Sequence, residues 1–491
     1  MNQFIRKLSS ANALVFLFFT SGAQNITGTW QGSLDVQGNQ IPIVFHIKKD
    51  STDKWRASFD SPSQHAFSLP CSDVIIKNDS LILMMAILNG KYAGLLNTDK
   101  SQITGSWFQG AGSLPLTVKK TSDTATVKEE KRPQTPRPPF PYHSEDVVYT
   151  NASQSIQYGG TLSYPKADSL NVSAEFQSYP AVILITGSGQ QDRDETLFDH
   201  KPFAVIADYL TRQGFVVLRV DDRGIGKTTG IFSEGTSMDF ANDVEAGLDF
   251  LEKQPMVNKN KIGLIGHSEG GLIAPIVADK RKEIKFIILL AGPGIPIIDL
   301  MQQQTEAVSK SNGETAAKAR ADGQLMRIVW EEAVKNEDSV TTIHHIRTKI
   351  ESWSKTLDTA TLAKYKSQDT SSINRQVIQA MTALNTKWYK YFISFNPQPY
   401  LEKLDCKVLA LNGSKDVQVI AATNLKGIKQ SLQKSKSPEY DVIEIPGLNH
   451  LFQTCIVCNP AEYIVLEESF SPRALDTMEN WLRENVQQSN H

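Results

Sequence analysis

Ser268 stands between Gly266 and Gly270 in "LIGHSEGGLIAP", Leu264 to Pro275. An apolar run leads into it and a second leads away, the pattern of a strand turning sharply into a helix. The G-x-S-x-G spacing is what a nucleophile elbow requires. The turn holds the serine in a strained backbone conformation, and the flanking glycines keep neighbouring side chains from colliding. A serine hydroxyl is a poor nucleophile at neutral pH. It needs a base to take its proton, and that base needs a carboxylate to fix its tautomer and stabilise the imidazolium.

On a strand–turn–helix scaffold the chain order is serine, then acid, then histidine. The histidines after Ser268 are His344, His345, His450 and His491. The first two fall in a polar-amphipathic helical stretch, and the last ends the chain. His450, in "PGLNHLF", directly follows an apolar strand, where a base must sit. Asp416 follows the strand "KVLALNG" across the short step "SK". Asp405 precedes that strand, at the wrong end, and Glu439 and Asp441 begin the next. The residues therefore predict Ser268 as nucleophile, Asp416 as orienting acid and His450 as base. An oxyanion needs backbone donors. One is expected from Glu269 N–H at a helix start, where the dipole helps, and one from Ser188 or Gly189 in "TGSGQQ". That loop lacks the lysine of a phosphate loop. The Glu269 side chain is expected to be structural or to tune the pocket.

These residues need a scaffold that brings strand ends together. From Tyr142 onward, apolar strands ("AVILITG", "FVVLRVD", "KIGLIG", "FIILLAG", "KVLALNG", "EYDVIEIPG") alternate with helices, including ones around 203–213 and 240–253. That alternation signals a mainly parallel sheet covered on both faces, with its site at the strands' carboxyl ends. Between about 296 and 400 the strand signal vanishes into aromatic-bearing amphipathic helix, an insertion suited to a helical cap. Its aromatics (Trp330, Trp353, Trp388, Tyr389, Tyr391 and Phe392) are expected mainly in the cap's own core.

The first third is different. Residues 24–120 carry short β-rich runs and turn signals, which predict a small all-β domain, barrel or sandwich. "ITGTWQG" at Ile26 is echoed by "ITGSWFQG" at Ile103, so two strands are expected to bury Trp30 and Trp107 in equivalent places. Residues 121–142 include the charged, proline-dense "VKEEKRPQTPRPPFPY" and read as a semi-rigid linker. The part in which strands and helices alternate then runs over 143–491. At the start, Arg6 and Lys7, the apolar run "ALVFLFFT" and "SGA" describe a signal peptide over 1–23. The run is too short for a membrane span, so an exported chain, periplasmic or secreted, is expected.

The chain has 491 residues and a formal charge of −2. It has no basic surplus, so a nucleic-acid partner is not expected. Its four cysteines are Cys71, Cys406, Cys455 and Cys458. The C-x-x-C at 455–458 reads as a local disulfide or two free thiols rather than half of a metal site.

With "GSGQQDRDE" at Gly187, "DDRGIGKTTG" at Asp221, "GHSEGG" at Gly266, "LNGSKDVQV" at Leu411 and "GLNHLFQ" at Gly447, the chain resembles the α/β-hydrolase superfamily. More narrowly, it is similar to exported bacterial carboxylesterase-type serine hydrolases with an N-terminal β domain. The resemblance implies hydrolysis of short-chain acyl esters through an acyl-serine, without cofactor or metal, with the family's triad falling on Ser268, Asp416 and His450. It implies a small-molecule ester as substrate. Asp192, Arg193, Asp222 and Arg223 are expected to pair structurally. A serine peptidase of aminopeptidase type is the alternative, and a non-catalytic binding protein the lesser one. The β domain offers a possible contact with a glycan or cell surface.

Overall fold

The computed structural model describes residues 26–36, 39–50, 53–61, 66–85, 90–109, 112–121, 132–151, 156–166, 178–335, 338–367 and 386–487. The expected signal peptide lies outside them. The chain divides into two compact units, Met1–Glu129 and Glu130–His491.

The first unit is one nine-stranded antiparallel sheet. Its strands are β1 (Gly28–Val36), β2 (Asn39–Lys49), β3 (Trp55–Ser61), β4 (Ala66–Pro70), β5 (Asp73–Lys77), β6 (Ser80–Met85), β7 (Gly90–Leu96), β8 (Gln102–Gln109) and β9 (Gly112–Thr121). They lie in the order β4-β3-β2-β1-β9-β8-β7-β6-β5. In a flat sheet β2 and β7, four places apart, would be about 19 Å from each other at the usual strand spacing. Yet the rings of Phe45 on β2 and Tyr92 on β7 approach to 4.9 Å, and Phe59 on β3 meets Trp107 on β8 at 5.7 Å. The sheet therefore curls around a single core, closer to a barrel than a sandwich. The two echoed segments flank β9 from either side, and Ile26, Trp30, Ile103 and Trp107 are all buried.

The second unit holds an eight-stranded mixed sheet of β10 (His143–Asn151), β11 (Ile156–Tyr164), β12 (Tyr179–Ile185), β13 (Val216–Val220), β14 (Val257–His267), β15 (Ile284–Leu290), β16 (Lys407–Gly413) and β17 (Tyr440–Ile445). The order is β10-β11-β13-β12-β14-β15-β16-β17, and every pair from β13 onward is parallel. Strands β12, β13, β15 and β16 are buried nearly end to end. Only helices on both faces achieve that. The flanking helices are α1 (Pro202–Arg212), α2 (Ser237–Leu251), α3 (Gly270–Lys280), α10 (Ala421–Leu432) and α11 (Pro472–Leu482). This strand order and covering are those of an α/β-hydrolase fold.

Between β15 and β16 the described residues form the helices α4 (Ile297–Ser311), α5 (Ala316–Ala333), α6 (Ser339–Ser354), α7 (Thr359–Ser367), α8 (Lys387–Ser394) and α9 (Gln398–Leu401). They occupy the stretch expected to form a cap. Among the described residues, no helix is long and apolar enough to cross a membrane.

Register decides where the site forms. Ile185 pairs with Gly266, His267 with Leu290, Leu290 with Leu411, and Gly413 with Ile445. The carboxyl ends of five strands thus line up at one rim. The later part of the proline-dense segment is not an extended spacer. Arg132 donates to the carbonyls of Phe198, Ile464 and Leu466, and the Gln134 amide donates to Phe470, so residues 132 onward are fastened to the second unit.

Candidate active site

Ser268 caps the rim at the end of β14 with φ 53°, in the left-handed region that a non-glycine residue adopts only where its surroundings hold it. Its N–H donates to Leu290 O at 2.9 Å, and its carbonyl accepts from Gly271 N at 2.9 Å. The glycines at Gly266 and Gly270 are demanded by contact. A Cβ on the first would sit 2.0 Å from Gly270 O, and one on the second 2.1 Å from Ile185 O. Helix α3 starts directly behind the serine, with Glu269 as its N-cap residue.

His450 and Asp416 arrive from the neighbouring strand ends. His450 Nδ1 lies 2.8 Å from Asp416 Oδ2, with both side chains buried. The other carboxylate oxygen, Oδ1, accepts from the N–H groups of Gln418 at 2.7 Å and Val419 at 2.9 Å, which fixes the acid's orientation. The histidine loop is held from within. Buried Asn449 accepts from Leu451 N and Gln453 N, and Leu448 bridges Thr454. Ser268 and His450 both line a cavity of about 330 Å³.

The loop after β12 supplies the opposite wall. Gly187 and Ser188 line the cavity, while Gly189 makes the turn at φ 93°. Glu195, from the same loop, accepts the Gly187 N–H at 2.7 Å and faces His267 Nδ1 at 2.9 Å. Neither Glu195 nor His267 was singled out from sequence. The acid lies within the quoted "QDRDE" and the histidine within "GHSEGG", so both sat inside motifs whose chemistry was attributed to other residues.

Glu269 is the second carboxylate of the cavity wall. Burial pushes its carboxyl above the usual range, against hydrogen bonds from Ser237, Trp388 and Ser188. Its partner Trp388 belongs to cap helix α8, stacked on Phe392, and both line the cavity with Tyr389, Leu300 and Met301. These cap aromatics therefore face the site, contrary to the expectation that they serve mainly the cap core. Trp353 does serve that core, packed against Ala321, Leu325 and Tyr365, whereas Trp330 is buried in the unit's main core.

Each arginine of the "QDRDE" and "DDRGIGKTTG" loops pairs with a carboxylate, one within the loops and one on α2. Arg193 binds Asp221 at 2.6 Å and also donates to Gly160 O. Arg223 binds Asp243 through two contacts of 2.6 and 2.8 Å. Asp222 is held by Thr186 and Gln191, and burial pushes its carboxyl up to about 7. Asp192 caps its own turn through Asp194 N and Thr196. Cys455 and Cys458 form a disulfide, and Glu462 accepts the N–H groups of Ile456, Val457 and Cys458 beside it.

A family model described as serine aminopeptidase, S33, matches residues 200–451. Esterase EstD of Thermotoga maritima is 29% identical over 126 residues, 26% of this chain. That match spans 30% of EstD, well under two thirds of the relative's length. Among solved structures, the chain is similar to a Pyrococcus furiosus esterase at 14% identity and TM-score 0.41, over 70% of this chain and 92% of that one. It is also similar to Est1E of Butyrivibrio proteoclasticus with ferulic acid bound, at 17% identity and TM-score 0.38, over 70% and 100%.

Proposed function

The chain belongs to the serine aminopeptidase S33 family, and from that membership and the geometry of the rim we propose that it is a serine hydrolase cleaving carboxylic esters. Ser268 attacks the ester carbonyl while His450 takes its proton, and Asp416 stabilises the imidazolium through Nδ1. The N–H groups of Glu269 and of Ser188 or Gly189 receive the oxyanion. The alcohol leaves with a proton from His450, and water releases the acid from the acyl-serine. The observation that carries this reading is the buried His450–Asp416 contact of 2.8 Å, on a cavity shared with a serine held at φ 53°.

Ester is favoured over aminoacyl amide by the state of the cavity's carboxylates. A peptidase that recognises a free amine needs an acidic group to bind it. Glu195 and Glu269 are the carboxylates lining the cavity among the described residues, and both are occupied by donors. The remaining wall is apolar or amide-bearing, with Leu197, Met301, Trp388, Phe392 and Gln304. That wall suits a neutral ester with a short acyl chain. The likeness to EstD supports the same choice over the 126 residues it covers. Fluorophosphonate labelling, then turnover of p-nitrophenyl acetate and butyrate beside aminoacyl p-nitroanilides, tests the reading. We expect an adduct on Ser268 and faster ester turnover. Faster amide turnover, or normal activity in Ser268→Ala, overturns it.

Export is part of the proposal. Its supports are the leader-like pattern of residues 1–23 and a disulfide, which favours an oxidising compartment. A surface-docking role for the β unit would not run through Trp30 or Trp107, since both are buried. Deleting residues 24–120 should then weaken surface retention and spare small-ester hydrolysis.

A further inference from the structure

The second unit holds another buried carboxylate–imidazole pair, to which the proposed triad chemistry assigns no step. His267 ends β14, one residue before Ser268. Its Nδ1 faces Glu195 Oε1 at 2.9 Å and its Nε2 faces the backbone carbonyl of His450 at 3.0 Å. With Glu195 as the carboxylate, both partners are acceptors. A neutral imidazole carries one N–H and can satisfy only one of them, so two contacts of this length call for the doubly protonated ring. Glu195 supplies the counter-charge in a site with little water, both side chains being about 6–7% exposed.

The pair also touches both halves of the catalytic rim. Through Nε2, His267 holds the main chain of His450. Through Oε1, Glu195 holds the Gly187 N–H at 2.7 Å, next to the Ser188 donor. Glu195 itself sits at φ 52°, in the left-handed region uncommon for a non-glycine residue. The other groups facing His267 are the His450 ring at 4.9 Å, the Phe452 ring at 6.4 Å and the charge of Asp416. Burial disfavours the imidazolium, but Glu195, the His450 carbonyl and Asp416 outweigh it, and the proton affinity of His267 is raised.

We propose that Glu195 and His267 are positioning residues, an imidazolium–carboxylate strut that keeps the oxyanion loop and the His450 loop in mutual register while it retains its proton. The role assigned to the two loops rests on the serine-hydrolase reading; the protonation state does not. When the strut loses its proton, Glu195 takes the remaining N–H. The lone pair of Nε2 then opposes the His450 carbonyl, and the base shifts. Activity should accordingly fall on the alkaline side through the titration of a residue that neither attacks the substrate nor takes its proton.

The test is nitrogen NMR of the full chain labelled with 15N-histidine, without substrate, with His267 assigned through His267→Gln. The ring of His267 should still read as imidazolium above the ordinary imidazole value of 6.5. In Glu195→Gln the amide oxygen can still accept the Gly187 N–H but carries no charge. There the ring should deprotonate at least about tenfold more readily, a shift of about one pH unit. The alkaline limb of kcat/KM should move down by the same amount with KM little changed. A merely structural role would lower kcat equally at every pH, and that result would sink the proposal. So would a neutral wild-type ring at pH 7, a reading that needs no folded variant. If wild-type chain cleaves no ester at all, the function reading fails and the NMR titration still decides the strut.

Discussion

The indole N–H of Trp388 donates to both carboxylate oxygens of Glu269, at 2.9 and 3.1 Å. One residue belongs to the cap and the other adjoins Ser268, so cap and elbow share a partly buried hydrogen bond. Trp388→Phe keeps an aromatic ring against Phe392 but deletes the donor. Leaving a buried carboxyl short of a partner costs roughly 1–3 kcal/mol. A lowered thermal midpoint and a reduced kcat/KM are expected. Because burial already pushes the Glu269 carboxyl up, adding Glu269→Gln should recover part of the lost stability. An unchanged midpoint in Trp388→Phe would show that the latch carries no weight.

The acid of the proposed triad should be separable from its loop. Asp416 accepts two backbone N–H groups through Oδ1 and His450 through Oδ2. In Asp416→Asn the amide can keep one side of this arrangement only, because an NH₂ cannot accept. The histidine then favours the wrong tautomer, and kcat should drop about 10⁴-fold. Ser268→Ala should lose about 10⁶-fold, down to the background of binding and oxyanion stabilisation. Steady-state ester kinetics on both variants check this. An Asp416→Asn enzyme within tenfold of wild type would mean another carboxylate orients the base.

How much of this was legible in the chain depends on the range of the interaction. Fully buried parallel strands print as apolar runs, so β12 to β16 and the residues at their carboxyl ends could be located, and the triad candidates with them. The entry strands β10 and β11 could not. β10 is exposed over most of its length and carries no apolar run. Partner choice among charges was also hidden. Arg193 takes Asp221 rather than its sequence neighbour Asp192, and Arg223 takes Asp243 across to α2. The contacts of Trp388 with Glu269 and of Glu195 with His267 join residues 119 and 72 positions apart. No local pattern encodes such pairs.

Two glycines make a contrasting prediction at the site. At Gly270 a Cβ would lie 2.1 Å from the backbone oxygen of Ile185. No side chain can yield there, so Gly270→Ala should abolish activity and destabilise the fold severely. At Gly189 a Cβ would meet nothing within 4 Å, although φ is 93°. Gly189→Ala therefore meets backbone strain alone, of order 1 kcal/mol. Its midpoint should fall slightly, and activity should persist if Ser188 rather than Gly189 supplies the oxyanion donor. Circular dichroism melts and ester turnover distinguish the two variants, and equal damage in both would contradict the geometry.

A buried imidazole and a partly buried carboxyl set opposing pH dependences of stability. His200, bonded to Ser469 and to the Tyr463 carbonyl, is buried and its proton affinity is lowered from 6.5 to about 4. Between those values the unfolded chain binds a proton that the fold refuses, so stability falls as pH falls. Asp222 behaves oppositely, because burial raises it from 3.8 to about 7 and the fold binds a proton that the unfolded chain releases. Stability from that source grows as pH falls from about 7 toward 4. Over the shared window the two effects cancel, and each substitution unmasks the other. Asp222→Asn should lose stability on acidification more steeply than wild type, by up to about 1.4 kcal/mol per pH unit. His200→Gln should shift the slope by a similar amount in the opposite sense. Urea melts at pH 6.5, 5.5 and 4.5 compare the three proteins under conditions where every other titration is common to them. Parallel slopes would mean that water reaches both groups in the folded chain.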